Sequence, residues 1–102
     1  MADTKTDTTL RLDDTAIEAR LSALPDWARS GDELQRTFAC GDFLKAMAFV
    51  NAVAEAAETA CHHPDILVRY SKVTLSLSTH DAGGLTDKDF ELAAVFDGLR
   101  DA

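Results

Sequence analysis

Three histidines, His62, His63 and His80, fall within nineteen positions of a chain of 102 residues. Histidine is the side chain whose ordinary pKa, about 6.5, suits both giving and taking a proton near neutrality. His62 lies four residues after Glu58, so on a continuing helix the carboxylate and the imidazole would be neighbours. The same residues admit other readings. A histidine in the last turn of a helix is favoured by the helix dipole alone. Three histidines with Cys61 as a fourth ligand could hold zinc, but their spacing matches no metal motif. Cys61 is either a thiol activated by its histidine neighbours or a buried, inert residue that completes an apolar stripe. Asp89, three residues after Thr86, has the spacing of a capping box. Glu58 is by default a solvated helix residue. No glycine-rich phosphate loop, nucleophile elbow or paired CxxC is present.

The elements that must position these residues follow from periodicity. Asp13, Asp14 and Thr15 can cap a first helix, with Thr15 and Glu18 at capping-box spacing. Ile17, Leu21 and Leu24 share one face of it, and Pro25 ends it. Two short strands follow around Ser30-Gly31-Asp32, the second with Leu34, Arg36 and Phe38 on one side. A long helix spans about 42–60, capped by Asp42. Its expected stripe is Phe43, Met47, Val50, Ala54, Ala57 and Cys61. Pro64 forces the exit and leaves His63 extended. A second hairpin covers 66–70 and 73–79, with Thr74, Ser76, Ser78 and His80 on one face. Gly83-Gly84 breaks the chain, and a last helix runs from Thr86 to about Arg100. Its stripe of Leu92, Val95, Phe96 and Leu99 is widened by Phe90, Ala93 and Ala94. That width fits either a broad core contact or a seam between subunits. Hairpins interleaved with helices suggest an α+β fold, an antiparallel sheet with helices on one face.

Composition excludes several classes. The length suits one domain, expected at residues 10–102 after a flexible tail at 1–9. The formal net charge of -8 repels phosphate backbones and argues against nucleic-acid binding. No apolar run approaches the roughly 18 residues of a membrane span. The first nine residues hold no signal-like apolar core, and Cys40 and Cys61 make no disulfide framework. These features predict a soluble, cytoplasmic, reduced protein.

The block Glu58-Thr-Ala-Cys61-His62-His63-Pro64-Asp65, followed by Ser78-Thr79-His80-Asp81-Ala-Gly-Gly84-Leu85-Thr86-Asp-Lys-Asp89, resembles the pterin-4a-carbinolamine dehydratase family. Leu21-Ser-Ala-Leu24-Pro25-Asp-Trp27 and Asp42-Phe43 are similar to further family signatures, so the resemblance covers about residues 10–100. It implies a four-stranded antiparallel sheet with three helices on one side, in the order α-β-β-α-β-β-α. It implies dehydration of 4a-hydroxytetrahydropterin to quinonoid dihydropterin, in the recycling of tetrahydrobiopterin, with no metal, nucleotide or covalent intermediate. Carried over, His62, His63 and His80 are the acid, base and pterin-orienting set. Glu58 and Asp89 would support the histidines or the pterin ring. Cys61, Ser78, Thr79 and Asp81 would line the pocket. Two positions depart from the pattern: Ile66 stands where many members carry an aromatic residue beside the pterin, and Cys61 where a polar one is common. The family forms dimers or tetramers, so a homodimer or homotetramer is expected. Some relatives serve instead as a dimerisation cofactor for a transcription factor or as an assembly factor for a carboxylase. A non-catalytic binding module is therefore the alternative function.

Overall fold

A computed structural model describes residues 10–101, so the tail expected at 1–9 lies outside the described residues. The first helix, α1, is Asp14–Leu21. Its cap is Asp13, whose carboxylate accepts the Ala16 N–H at 2.8 Å, rather than Thr15 with Glu18. The helix stops at Leu21, short of Pro25, yet Leu24 and Trp27 still enter the core. Strands β1 (Ala28–Ser30) and β2 (Glu33–Ala39) form the first hairpin. Helix α2 is Phe43–Ala60, with the Asp42 side chain accepting the Lys45 N–H at 2.8 Å. Strands β3 (Asp65–Arg69) and β4 (Lys72–Leu77) form the second hairpin, and α3 (Asp87–Asp101) closes the chain.

All strand pairs are antiparallel, in the order β1-β2-β4-β3. On β2 and β4 the alternate residues Leu34, Phe38, Val73, Leu75 and Leu77 are buried, and their register sets Leu34 opposite Leu77 and Phe38 opposite Val73. Period-two alternation therefore gives one face to the helices and leaves Gln35, Thr37, Thr74 and Ser76 on the other. Arg36 falls on the inner face. Its charge is met by Asp97 at 2.6 Å, and its guanidinium lies over the Phe38 ring, 4.2 Å from the centroid. Asp97 also accepts the Trp27 indole N–H at 2.8 Å, which ties the turn after α1 to α3.

The helices bury different stripes from those the spacing suggests. On α2 the core face is Ala46, Phe49, Val53 and Ala57, while Phe43, Ala54 and Cys61 are exposed. This helix is apolar nearly all round, so periodicity alone offers two seams and packing against the sheet selects one. Phe49 stacks at 4.7 Å on Phe38, which fixes the choice. On α3, Phe90, Leu92, Ala93 and Phe96 are buried. Broad core contact accounts for them, and only Val95, 48% exposed, remains as a large apolar side chain facing out.

Strand β3 lies at a sheet edge with Ile66 and Leu67 exposed. The β3–β4 turn holds Tyr70 at φ 55, and it sets Arg69 opposite Lys72. Truncating the fully buried Phe96 to Ala should lower unfolding stability by about 3–5 kcal/mol. Urea denaturation reads this, and a loss under about 1 kcal/mol would remove Phe96 from the core.

Candidate active site

The helix α2 does not carry its register into the histidines. Cys61 turns left-handed at φ 53, with its N–H bonded to the Glu58 carbonyl at 3.1 Å and the His62 N–H to the Ala57 carbonyl at 3.1 Å. That is a Schellman ending built without glycine, a conformation that costs a β-carbon about 1–2 kcal/mol. The reversal overturns the expected Glu58–His62 neighbourhood. Glu58 instead meets His63, Oε1 to Nε2 at 2.6 Å, in an exposed pair. It also places Cys61 on the surface rather than on a buried stripe.

His62 points the other way, into the protein. Its Nε2 lies 2.6 Å from Oδ1 of Asp89 on α3, and the Asp89 side chain is 0% exposed. The other oxygen, Oδ2, accepts the Thr79 hydroxyl at 2.8 Å and the Thr86 N–H at 2.9 Å. With the Thr79 proton committed there, Thr86 Oγ1 donates to Thr79 Oγ1 at 2.7 Å and itself accepts the Lys88 N–H at 3.2 Å. Every donor in this chain runs toward one carboxylate, so the buried oxygens are fully met. The Thr86–Asp89 spacing is thus a helix cap whose carboxylate also holds a histidine. With Nε2 held by the Asp89 carboxylate, His62 presents Nδ1 as its free ring atom.

The second strand of the hairpin also ends earlier than periodicity suggests. Strand β4 stops at Leu77, and His80 opens a single 3-10 turn, His80–Ala82, instead of continuing the pleat. Thr79 and Gly84 bridge the base of this turn, with Thr79 N–H to the Gly84 carbonyl at 3.0 Å. Gly83, at φ 76, supplies the left-handed residue that closes it. The β3–β4 pairing ends at Asp65 opposite Ser76, so the segments 62–64 and 78–80 leave the sheet at the same end. The two histidine blocks therefore meet at one end of the sheet, joined through Thr79 and Asp89. Asp89 and Thr79 are buried beneath His62, so they hold the histidine rather than line a pocket. Ser78 is half-buried, and His80 and Asp81 are exposed. None of these three side chains makes a hydrogen bond or ion pair among the described residues. No group of three or more metal-ligating side chains is placed to hold an ion among the described residues.

The family model described as pterin 4 alpha carbinolamine dehydratase matches residues 10–99. The chain belongs to that family. A protein of Roseiflexus castenholzii, provisionally named a pterin-4-alpha-carbinolamine dehydratase, is 59% identical across 86% of this chain and 95% of its own length. A protein of the same provisional name from Picosynechococcus is 54% identical, covering 87% and 97%. A crystal structure from Brucella melitensis, described as a transcriptional coactivator/pterin dehydratase, superposes with a TM-score of 0.85 at 29% identity, over 88% of this chain and 98% of that one. A pterin dehydratase-like protein described as a RuBisCO assembly factor in the alpha-carboxysome gives a TM-score of 0.64 at 27% identity, over 74% and 89%.

In this member of the pterin dehydratase family, one hollow beside the histidines went unread in the sequence. A cavity of about 360 Å³ is lined by His62, Ala60, Lys88, Glu91, Leu92 and Val95. It is not lined by His63 or His80. Lys88 lies within the Thr86–Asp89 cap and Glu91 just after it on α3, and their spacing of three puts them on one helical face. Replacing Asp89 with Asn removes one of two acceptor oxygens, and because two donors, the Thr79 hydroxyl and the Thr86 N–H, occupy the Oδ2 side, the amide nitrogen must turn toward His62. Asp89→Asn should cost about 1–3 kcal/mol and move the His62 proton to Nδ1. Long-range ¹⁵N correlation of the imidazole reads the tautomer, and unchanged ring nitrogens would overturn the pairing.

Proposed function

We propose that the protein dehydrates a 4a-hydroxytetrahydropterin to the quinonoid dihydropterin and water, in tetrahydrobiopterin recycling, as a cytoplasmic hydro-lyase. The observation that carries this reading is the buried Asp89 carboxylate, which orients His62 and couples it to the Thr79–His80 turn. A structural histidine at a helix end does not call for an internal carboxylate with two further donors, the Thr79 hydroxyl and the Thr86 N–H, bonded to it. The reaction needs two proton movements. The C4a–O bond breaks as a proton reaches the departing hydroxyl, and N5 loses its proton as the C4a–N5 double bond forms. His62, held by Asp89 through Nε2, serves as the acid at Nδ1 once that atom carries a proton. His80, free of other side-chain partners among the described residues, accepts the second. His63, paired with Glu58, orients the ring together with Ser78, Asp81 and Cys61. These steps draw on the chain's own groups and on no cofactor.

A binding role is the second reading, favoured by the names of the two structural relatives, a transcriptional coactivator and a carboxysome assembly factor. The presence of His62, His63, His80, Glu58 and Asp89, with His62 held by Asp89 and His63 by Glu58, favours catalysis in this chain. We also propose a homodimer or homotetramer. An apolar groove of about 440 Å³ runs between α2 and α3, lined by Ala52, Ala56, Ala60, Leu92, Val95 and Leu99. A second copy of the same groove is its natural cover.

His62→Ala and His80→Ala should each lower the dehydration rate by about 10²–10⁴-fold, followed by stopped-flow absorbance with freshly generated carbinolamine. Losses under about threefold at both positions would refute their roles. Val95→Asp should reduce the mass seen in sedimentation while the fold survives, because this side chain lies outside the core. An unchanged assembly would exclude the groove as the seam.

A further inference from the structure

His80 has no side-chain partner of its own among the described residues, so its aim depends on the backbone of its turn. One end of that turn is held by Thr79, through Asp89 and the Gly84 bridge. The other end is held by the segment entering α1. The Leu12 N–H bonds the Leu85 carbonyl at 2.8 Å, and Arg11 Nη1 donates to the Gly83 carbonyl at 3.3 Å. The Arg11 stem lies directly over Gly84. A β-carbon added at Gly84 would stand 2.7 Å from Arg11 Cδ and 3.1 Å from Cγ. Gly84 does not carry a positive φ, unlike Gly83, so its lack of a side chain serves close approach rather than backbone freedom. The methylene stem of an arginine is well suited to cover such a glycine while its head reaches a carbonyl.

We propose that Arg11 is a positioning residue for His80: its stem on Gly84 and its bond to Gly83 clamp the 3-10 turn from which His80 reaches substrate. The catalytic half of this inference rests on the dehydratase reading above, whereas the clamp itself is a property of the fold. Loss of the clamp lets the turn move, and displacement of a reacting group by an ångström is enough to slow chemistry without weakening substrate binding. The same geometry predicts a specific coupling. An alanine at position 84 must evict the Arg11 stem, so Gly84→Ala and Arg11→Ala disturb one contact and not two.

The test compares Arg11→Ala, Arg11→Lys, Gly84→Ala and the double variant Arg11→Ala/Gly84→Ala by stopped-flow kinetics and amide hydrogen exchange. Arg11→Ala should lower kcat by about tenfold or more with KM within about twofold. Arg11→Lys, which keeps the stem, should recover most of the rate. The double variant should be no slower than Gly84→Ala alone. Exchange at the Thr79 and Gly84 amides should quicken about tenfold in Arg11→Ala, with a shift in the His80 ring signals. Wild-type dehydration with kcat in Arg11→Ala within about twofold of it would overturn the positioning role. If the wild type shows no dehydration, the function reading fails and the clamp is judged on exchange alone, where a change under about twofold overturns it.

Discussion

A carboxylate with no exposure to solvent must find partners for both oxygens, and much of this fold can be read as the solution at Asp89. Burying an ionised group without compensation is far costlier than a small domain can absorb. Asp89 answers that demand with donors from three places: the end of α2, through His62; the segment after β4, through Thr79; and the start of α3, through Thr86. None of these segments has a free choice of position once the carboxylate is satisfied. The group that caps α3 therefore also fixes the two histidine-bearing segments against each other at one end of the sheet.

Around that node the division of labour is physical. The Leu34, Phe38, Val73, Leu75 and Leu77 face supplies the apolar floor, and Phe49, Val53 and Phe96 cover it. The left-handed Cys61 then turns the exit of α2 through the angle that sends His62 inward and His63 outward. Two adjacent histidines thereby acquire different partners and different exposure. One is anchored to a buried acid and the other to a surface Glu58. Differentiating neighbouring side chains of the same type by backbone conformation is what makes distinct proton-transfer roles possible on so short a segment.

How far the sequence revealed this depends on which force decided each feature. The order of elements, the Asp42 cap and the alternation along β4 are local effects, written in turn residues and period-two patterning, and they were legible. The stripe on α2 was not, because an alanine-rich helix presents several equivalent faces and only the Phe38–Phe49 contact chooses among them. The Glu58–His62 pairing failed for a related reason: spacing of four implies contact only while the helix lasts, and Cys61 is an unusual residue for a left-handed ending. The partnership of His62 with Asp89 spans 27 residues, and nothing in the periodicity of either helix announces it. The hollow lined by Lys88 and Glu91 was hidden likewise, since its walls come from the end of α2 and from α3, which are far apart in sequence.

The open rim of the sheet at β3 carries a consequence for how the molecule behaves in company. Unsatisfied backbone groups along such a border invite stray strands to add on. Here the hairpin end sets Arg69 opposite Lys72, neither in an ion pair among the described residues, beside the exposed Tyr70. A hydrophobic strand adding along the full edge meets the Arg69 charge at the end of β3. In a chain otherwise so rich in negative charge, that small positive corner is of the kind that blunts edge-to-edge pairing.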